Sequence, residues 1–299
     1  IRDALGPYQE RLVERLWRVL EQPEDEGRCL QAASALALYD RSIPRWKNAG
    51  GKVAQALVKV NVVFLGSWLV ALRPAQGELT APLAAIFRDK KQSETERSLA
   101  MNILANYASD QPTLLADLLM DSEENPFAAL FDKLKTHQDL AVRPLEDELA
   151  KPSPAATEVD DQDVERKKDV LAERQARAAV ALIRLGKAEE VWPLMRHSAD
   201  PRLRSYVVNW LRPLGADPRA IVADLNRLDP NSKPMPAQGQ QVMDAILFHP
   251  QTSMRRALIM ALGRYNLDEL SPDKREPLVE HLREMYRHDP DAGIHGAAE

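Results

Sequence analysis

The chain has 299 residues, of which 44 % are apolar and 28 % are charged, and its formal net charge is −5. This composition is typical of a folded globular protein, and the single cysteine, Cys29, excludes an internal disulfide framework. The acidic balance argues against general binding to nucleic acids or anionic membranes. Helix-forming residues dominate and alternating β-branched runs are almost absent, so we predict an all-α protein.

A helix-ending signature, leucine followed at once by alanine or glycine, recurs along the chain. Three copies continue to a tyrosine, at Tyr39, Tyr107 and Tyr265. The five copies are Leu36-Ala37, Leu104-Ala105, Leu185-Gly186, Leu214-Gly215 and Leu262-Gly263. Helical units that recur with a period of roughly 30 to 45 residues indicate an α-solenoid, which usually serves as a binding surface.

The most hydrophobic stretch covers residues 53–72. Polar residues such as Lys59 and Asn61 interrupt it, which leaves fewer than the roughly 20 apolar residues that a membrane span requires. We therefore predict one or two buried helices with a bend near Asn61 or Gly66. The preceding AGGK at residues 49–52 lacks the leading glycine and the following serine or threonine of a phosphate-binding loop, and indicates a turn before a helix.

Two segments interrupt the helical pattern. Residues 151–164 are rich in proline, alanine and acidic side chains, and we predict a loop or linker there. Residues 229–240 contain three prolines and predict a second exposed loop. The first loop divides the chain into an N-terminal half, 1–150, and a C-terminal half, 165–299, with one continuous solenoid as the alternative.

Helix boundaries are marked by capping residues and glycines. A residue that can cap a helix stands directly before proline at Asn125, Asp200, Asp217, Ser271 and Asp289. We also predict that Gly186, Gly215 and Gly263 end helices in the left-handed conformation.

Possible catalytic and metal-binding groups are sparse. His281, Glu284 and His288 share one face of a predicted helix, but Met285 and Tyr286 lie on its opposite, apolar face. The His/Glu set is therefore expected to face water, and we predict no metal site. Paired carboxylates fall in loops or helix starts, so we predict no catalytic residue and no cofactor.

Arginines cluster at helix starts in the C-terminal half. Arg202, Arg204, Arg255 and Arg256 are the candidate partner-binding residues, because guanidinium groups bind acidic segments or phosphates through two parallel hydrogen bonds. The alternative is that these arginines form ion pairs between repeats.

Several stretches resemble HEAT repeats, and more narrowly a HEAT-like region of large multidomain proteins in planctomycete bacteria. They are HSADPRLRSY at 197–206, LGADP at 214–218, RRAL at 255–258, ALG at 261–263, AIFRD at 85–89, ANYASDQP at 105–112, LLADLLMD at 114–121 and YRHDPDAGIHGAAE at 286–299. In that family the region connects a serine/threonine kinase domain to a domain similar to formylglycine-generating enzymes. The resemblance implies that this chain is a segment of a longer protein.

The family's catalytic motifs are missing from this segment. It has neither the His-Arg-Asp nor the Asp-Phe-Gly motif of kinases, and one cysteine cannot supply the pair expected of a formylglycine generator. We expect a right-handed α-solenoid of HEAT-like helical hairpins that acts as a non-catalytic, cytoplasmic scaffold. Its expected partners are the flanking domains or another protein, with nucleic acid disfavoured and no membrane association. A HEAT-like nucleic-acid-binding or DNA-repair module and a HEAT-like lyase are the alternatives.

Overall fold

The computed structural model describes residues 8–40, 43–154, 161–228 and 250–299. All regular elements in these ranges are helical and none of the described residues is in a strand, which confirms the all-α prediction. The loop predicted at 229–240 lies outside the described residues, as do residues 155–160 of the predicted linker. The chain divides into two compact units, residues 1–115 and 116–299.

The first unit contains six helices among its described residues, and a seventh includes the division at Leu115. They are α1 (Gln9–Glu21), α2 (Glu26–Tyr39), α3 (Ile43–Leu57), α4 (Val62–Leu72), α5 (Gln76–Arg88), α6 (Glu94–Tyr107) and α7 (Pro112–Met120). Close contacts join α1 to α2, α2 to α3 and α4, α3 to α5, and α5 to α6. Each helix from α1 to α6 therefore packs against a helix next to it or next but one in the sequence.

Two tryptophans and one aspartate join the first three helices. The rings of Trp17 and Trp46 are both buried and meet edge to face, with their centroids 5.6 Å apart. Asp40, directly after α2, accepts from both indole N–H groups: its carboxylate from Trp17 at 2.7 Å and its carbonyl from Trp46 at 2.9 Å. The buried indole nitrogens are thereby satisfied, as aromatic core residues require.

The second unit continues with α8 (Glu124–Leu134), α9 (Gln138–Leu149), α10 (Asp161–Arg184), α11 (Ala188–Val191), α12 (Arg202–Trp210), α13 (Pro218–Arg227), α14 (Pro250–Leu262), α15 (Pro272–His288) and α16 (Ala292–Ala298). The long helix α10 packs against α9, α11 and α12, while α14 packs against α12, α13 and α16. The last helix, α16, also packs against α15.

The compact units divide at Leu115 and not in the predicted linker at 151–164. Contacts across that linker explain the difference. The buried amide of Gln175 on α10 donates to the carbonyl oxygens of Glu148, Leu149 and Lys151, at 3.0 to 3.2 Å. These bonds tie the helix after the linker to the end of the helix before it, so both belong to one unit.

The helix-ending signature is confirmed at its tyrosine copies. The helices α2 and α6 end at Tyr39 and Tyr107, and Tyr265 lies three residues after the end of α14. Two of these tyrosines have the same role: the hydroxyl of Tyr107 donates to the carbonyl of Leu69, and that of Tyr265 to the carbonyl of Ala216.

The cap predictions succeed in part. Asp217 caps α13, with its carboxylate accepting from the backbone N–H of Arg219 at 2.9 Å. Ser271 stands at the cap position of α15 without a capping side-chain hydrogen bond, and Asp291 rather than Asp289 caps α16. Asn125 lies inside the first turn of α8.

Gly186 and Gly215 have left-handed backbones, with φ of +80° and +76°, but Gly263 does not, so the prediction for Gly263 is wrong. Its N–H still bonds to the carbonyl of Ile259 at 3.0 Å, which continues the helical pattern without a left-handed residue.

We expect Gly186→Ala to lower the free energy of unfolding by about 1 kcal/mol, because a Cβ is strained at positive φ. Gly263→Ala is the matched control and should change it little. Equal effects in urea unfolding would contradict this explanation.

The predicted turn at residues 49–52 is wrong, because these residues lie in the middle of α3. A Cβ on Gly50 would stand 2.6 Å from the carbonyl oxygen of Glu78 on α5. The glycine is needed there for close packing between α3 and α5, and a sequence pattern cannot distinguish that use from a turn.

Candidate protein-interaction surface

Helix α4 is the most apolar helix of the described chain and contains no charged residue. Its N-terminus is set by Asn61, whose side chain accepts from the backbone N–H of Val63 at 3.0 Å. Because α3 ends at Leu57, the bend predicted near Asn61 is confirmed, and α4 runs through the alternative position, Gly66.

One face of α4 packs against the protein. Leu72 is fully buried, and Leu65, Trp68 and Leu69 are half-buried. Close contacts connect α4 to α2 and to the short 3-10 turn that follows it. Side chains spaced three or four residues apart share a helix face, so these residues form a single packed stripe.

The other face of α4 is exposed. Relative exposures are 65 % for Val62, 79 % for Val63, 60 % for Phe64 and 72 % for Val70. We call these four residues, with Gly66 and Ser67 between them, the α4 outer face. Apolar patches of a few hundred Å² on a globular protein are often functional, so this face is the candidate interaction surface.

The prediction of buried helices across residues 53–72 is therefore correct for α3 and wrong for α4. Val53, Ala54, Ala56 and Leu57 are buried in the first helix. In α4 only Leu72 is buried. A helix that is apolar on every side carries no periodic signal, so its sequence cannot indicate which side faces the core.

Polar contacts near its C-terminal end hold α4 in place. The hydroxyl of Tyr107 on α6 donates to the carbonyl of Leu69 at 3.3 Å, and burial raises the pKa of this phenol. Arg73, after the last turn, donates to the side-chain oxygen of Asn106 at 3.1 Å. The outer face is therefore presented by a helix with fixed contacts rather than by a loose segment.

The predicted partner-binding arginines all hold contacts within the second unit. Arg202 pairs with Glu165 and with Asp200, the latter at 2.9 Å. Arg204 donates to the carbonyl oxygens of Met195 at 3.0 Å and Ser253 at 3.3 Å. Burial, followed by the nearby positive charge of Arg256, lowers the pKa of Arg204.

The other two arginines bind the loop between α15 and α16. Arg255 is buried and pairs with Asp289, whose carboxylate is equally buried. Arg256 is more exposed and donates through Nε to Asp291 at 2.8 Å. Arg202, Arg255 and Arg256 thus form ion pairs within the unit, whereas Arg204 bonds to carbonyl oxygens. The partner-binding role of the four arginines stays a prediction.

Two open clefts among the described residues lie in the second unit and bear on the candidate site. One, of about 420 Å³, is lined by charges of both signs, including Arg212, Asp217, Arg219, Glu269 and Lys274. The acidic members accept from the basic ones: Arg212 pairs with Glu269 at 2.8 Å, and Arg219 pairs with Asp217. The second cleft, of about 310 Å³, lies beside Glu148 and Arg174.

Metal ligands do not converge within the described ranges, where no group of three His, Cys, Asp or Glu side chains is placed to hold an ion. Glu284 and His288 on α15 are exposed, as predicted, with 3.7 Å between carboxylate and imidazole, whereas His281, expected to face water with them, is half-buried. Tyr286, predicted on the apolar face, is 47 % exposed and its ring lies against His295.

In the part of the chain that the structure describes, no helix is both long and apolar enough to cross a membrane.

No protein-family model matches the chain, and no curated protein or solved structure is significantly similar to it. The described residues define an all-α protein that exposes one uncharged apolar helix face.

Proposed function

We propose that this chain is a non-catalytic scaffold, built of HEAT-like helical hairpins, that binds protein through the α4 outer face. The packing order within each unit supports the hairpin architecture. In the first unit α2 packs against α1, α3 and α4, and in the second α10 packs against α9, α11 and α12. Contacts between helices close in sequence are what stacked repeats produce, and a right-handed α-solenoid is their usual form.

The recurring tyrosine supports the same proposal. Tyr107 and Tyr265 occupy the same position of the helix-ending signature, and each hydroxyl donates to a carbonyl on an earlier part of its own unit. A shared side-chain role at equivalent positions is expected of repeats that descend from one motif.

The observation that carries the binding role is the exposure of Val62, Val63, Phe64 and Val70 on one uncharged helix. Single exposed apolar side chains are common, whereas here four lie on one helix with no charged residue between them. Leaving this surface in water is unfavourable, so contact with a protein partner has a hydrophobic driving force.

Photo-crosslinking tests this proposal. We expect p-benzoylphenylalanine at Phe64, introduced in living cells of the source organism, to form covalent adducts with protein. The matched control places the same photo-reactive residue at Tyr286, an exposed aromatic on α15. Adducts specific to Phe64 would support a protein-binding face. The same weak background from both positions would contradict it.

A narrower proposal rests on the sequence resemblance. The segment would dock the kinase-like and formylglycine-generating-enzyme-like domains of its parent protein. It predicts that both domains are encoded in the same reading frame, and that calorimetric titration at two salt concentrations detects binding to at least one. Absence of heat with both domains would remove this narrower proposal and leave the α4 proposal standing.

A further inference from the structure

We propose that the cleft of about 310 Å³ in the second unit binds an extended segment of a partner protein that carries an apolar side chain two residues from a carboxylate. The cleft is lined by one face of α10, with Glu148 at the end of α9 and Lys151 just after it, and we call it the α9–α10 cleft. Its described lining contains no residue of the α4 outer face. The inference therefore goes beyond the proposed function and does not rest on it.

The residues of α10 that line this cleft share one helix face, because they are spaced three or four apart. Arg166 and Lys167 come first, Val170 and Leu171 follow, and Arg174 is last. At a rise of about 1.5 Å per residue, each of these groups lies about 6 Å along the helix from the next. The cleft thus has a cationic end, an apolar middle and a second end at Arg174.

The cationic end carries an excess of positive charge. Arg166 and Lys167 are 75 % and 62 % exposed, and both pair with the one carboxylate of Asp163, which is 31 % exposed. Two cations thus share a single carboxylate, and one positive charge is left unmatched among these three side chains. Exposed ion pairs contribute little to stability, so the two cations can bind a further carboxylate at small cost.

The end at Arg174 has no such excess. Arg174 binds Glu148, which lines the cleft, and also Asp117 and Asp121, which do not. Lys151 is 53 % exposed and pairs with the same Glu148 at 2.7 Å. Two cations here stand against three carboxylates, so a second acidic residue of the bound segment gains nothing at this end.

The middle of the cleft is apolar. Val170 is 54 % exposed and Leu171 is half-buried. An apolar side chain that packs on these two residues loses its contact with water, which favours binding. The carboxylate and the apolar group of the bound segment must therefore lie about 6 Å apart on one side of its backbone.

An extended chain meets this requirement. Its residues i and i+2 lie on the same side of the backbone, about 6.6 Å apart, whereas direct neighbours point to opposite sides. Residues i and i+4 of a helix also lie this close, but one helical turn is about 10 Å wide and 5.4 Å long. Such a turn occupies roughly 400 Å³, which is more than the volume of the cleft.

A nucleic acid fits the cleft less well than an acidic peptide does. Nucleic-acid binding depends on contacts to several phosphates, and only one end of this cleft has an excess of positive charge. Single strands also stack their bases on aromatic side chains, and none of the described residues that line the cleft is aromatic.

Fluorescence anisotropy of labelled, end-blocked peptides, titrated with the whole chain up to about 1 mM, tests the proposal. The probe Ser-Glu-Ser-Leu-Ser-Ser has the required spacing, and we expect a dissociation constant of about 100 µM. Two peptides of the same composition, Ser-Glu-Leu-Ser-Ser-Ser and Glu-Ser-Ser-Ser-Leu-Ser, change only the spacing. Both should bind at least about fivefold more weakly. A second glutamate two residues after the leucine of the probe should not tighten binding.

Variants of the cleft test its two parts separately. Arg166→Gln combined with Lys167→Gln should weaken binding of the probe about fivefold or more. The matched control, Arg283→Gln with Arg287→Gln on α15, removes the same charge from side chains that are 63 % and 56 % exposed, and should bind like the wild type. Val170→Ser keeps every charge but should reduce the preference for the probe over the two rearranged peptides. Circular dichroism melting confirms that all variants fold.

Several results would overturn the proposal. They are no binding of the probe at the highest concentration, equal binding of all three peptides, tighter binding of the helical spacing, and equal weakening by the two double substitutions. Tighter binding of a labelled oligothymidine than of the probe would assign the cleft to nucleic acid. Binding that appears only after Glu158, Asp160 and Asp161 are replaced by serine would mean that the chain itself occupies the cleft. None of these results changes the expected crosslinking from Phe64.

Discussion

Replacing Arg174 with alanine should lower the free energy of unfolding by about 3 kcal/mol at neutral pH. The side chain of Arg174 is only 16 % exposed, and that of its partner Glu148 only 4 %. Removing the cation leaves a buried carboxylate without its main partner, which is far more costly than losing an exposed ion pair. The effect stays near the low end of the range for buried charges because another partner, Asp117, is 43 % exposed.

The geometry explains why one arginine has so large an effect. Its Nε lies 2.9 Å from Glu148 at the end of α9, and a terminal nitrogen lies 2.9 Å from Asp117 on α7. The other terminal nitrogen binds Asp121, just after α7. A single guanidinium therefore pairs with three carboxylates and joins α7 and α9 to α10, while Lys151 also pairs with Glu148, 2.7 Å away.

The difference between wild type and Arg174→Ala should shrink as the pH falls below about 4.3, through the lowered pKa of Glu148 in the folded protein. Burial by itself raises the pKa of Glu148, but hydrogen bonds from Arg174 and Lys151 outweigh it and hold the pKa below its ordinary value. A lowered folded pKa contributes stability above the unfolded pKa of about 4.3 and loses it as the pH falls through the folded value. In the variant Arg174 no longer lowers the pKa of Glu148, so burial favours the neutral carboxyl group more strongly. Protonation of Glu148 then removes the free-energy cost of a buried, unpaired charge.

Urea unfolding at about pH 7, 4.5 and 3 measures this. Arg166→Ala is the control on the same helix, because Arg166 is 75 % exposed and pairs with Asp163; no measurable change is expected. Arg174→Lys keeps the charge but loses the planar fork, so it should fall between wild type and alanine. A stability difference that is constant over this pH range would show that charge is not its cause.

Local signals in the sequence predict the ends of helices better than they predict which helix faces are buried. Asp217 before Pro218 and the glycine at Gly186 act over a few residues, so their structural outcome is contained in the sequence around them. The environment of α4 is not contained in its sequence, because exposure depends on which other helices cover it. Val63 and Val70 were therefore expected in a buried helix, and the structure exposes them.

The arginines likewise show that contacts between residues far apart in the sequence cannot be predicted from a local pattern. The sequence shows where charged residues cluster, but the partners of Arg174 lie 26 to 57 residues away from it in the sequence. No pattern within one helix indicates such pairs. Gly50 was likewise interpreted from its neighbours in sequence, whereas its role is set by Glu78 on another helix.

Asp289→Ala should lower the free energy of unfolding by about 3 to 5 kcal/mol. Its carboxylate and the guanidinium of Arg255 are only 4 % and 5 % exposed, so the substitution leaves a buried cation unpaired. Asp289 also accepts from the backbone N–H of Asp291 at 3.0 Å, and the loss of this bond adds to the cost. Thermal or urea unfolding of the whole chain measures the change.

A double-mutant cycle separates the pair from its surroundings. Arg255→Met should cost less than Asp289→Ala, because Nε of Arg255 has no hydrogen-bond partner among the described residues and methionine removes that unsatisfied donor. The double variant should be more stable than the sum of the single effects predicts, since two apolar replacements leave no isolated charge. Additive effects would mean that the two groups do not stabilise each other. Strong coupling would mean that Arg255 stabilises the fold through Asp289. A binding assay on an Arg255 variant must then be corrected for the smaller amount of folded protein.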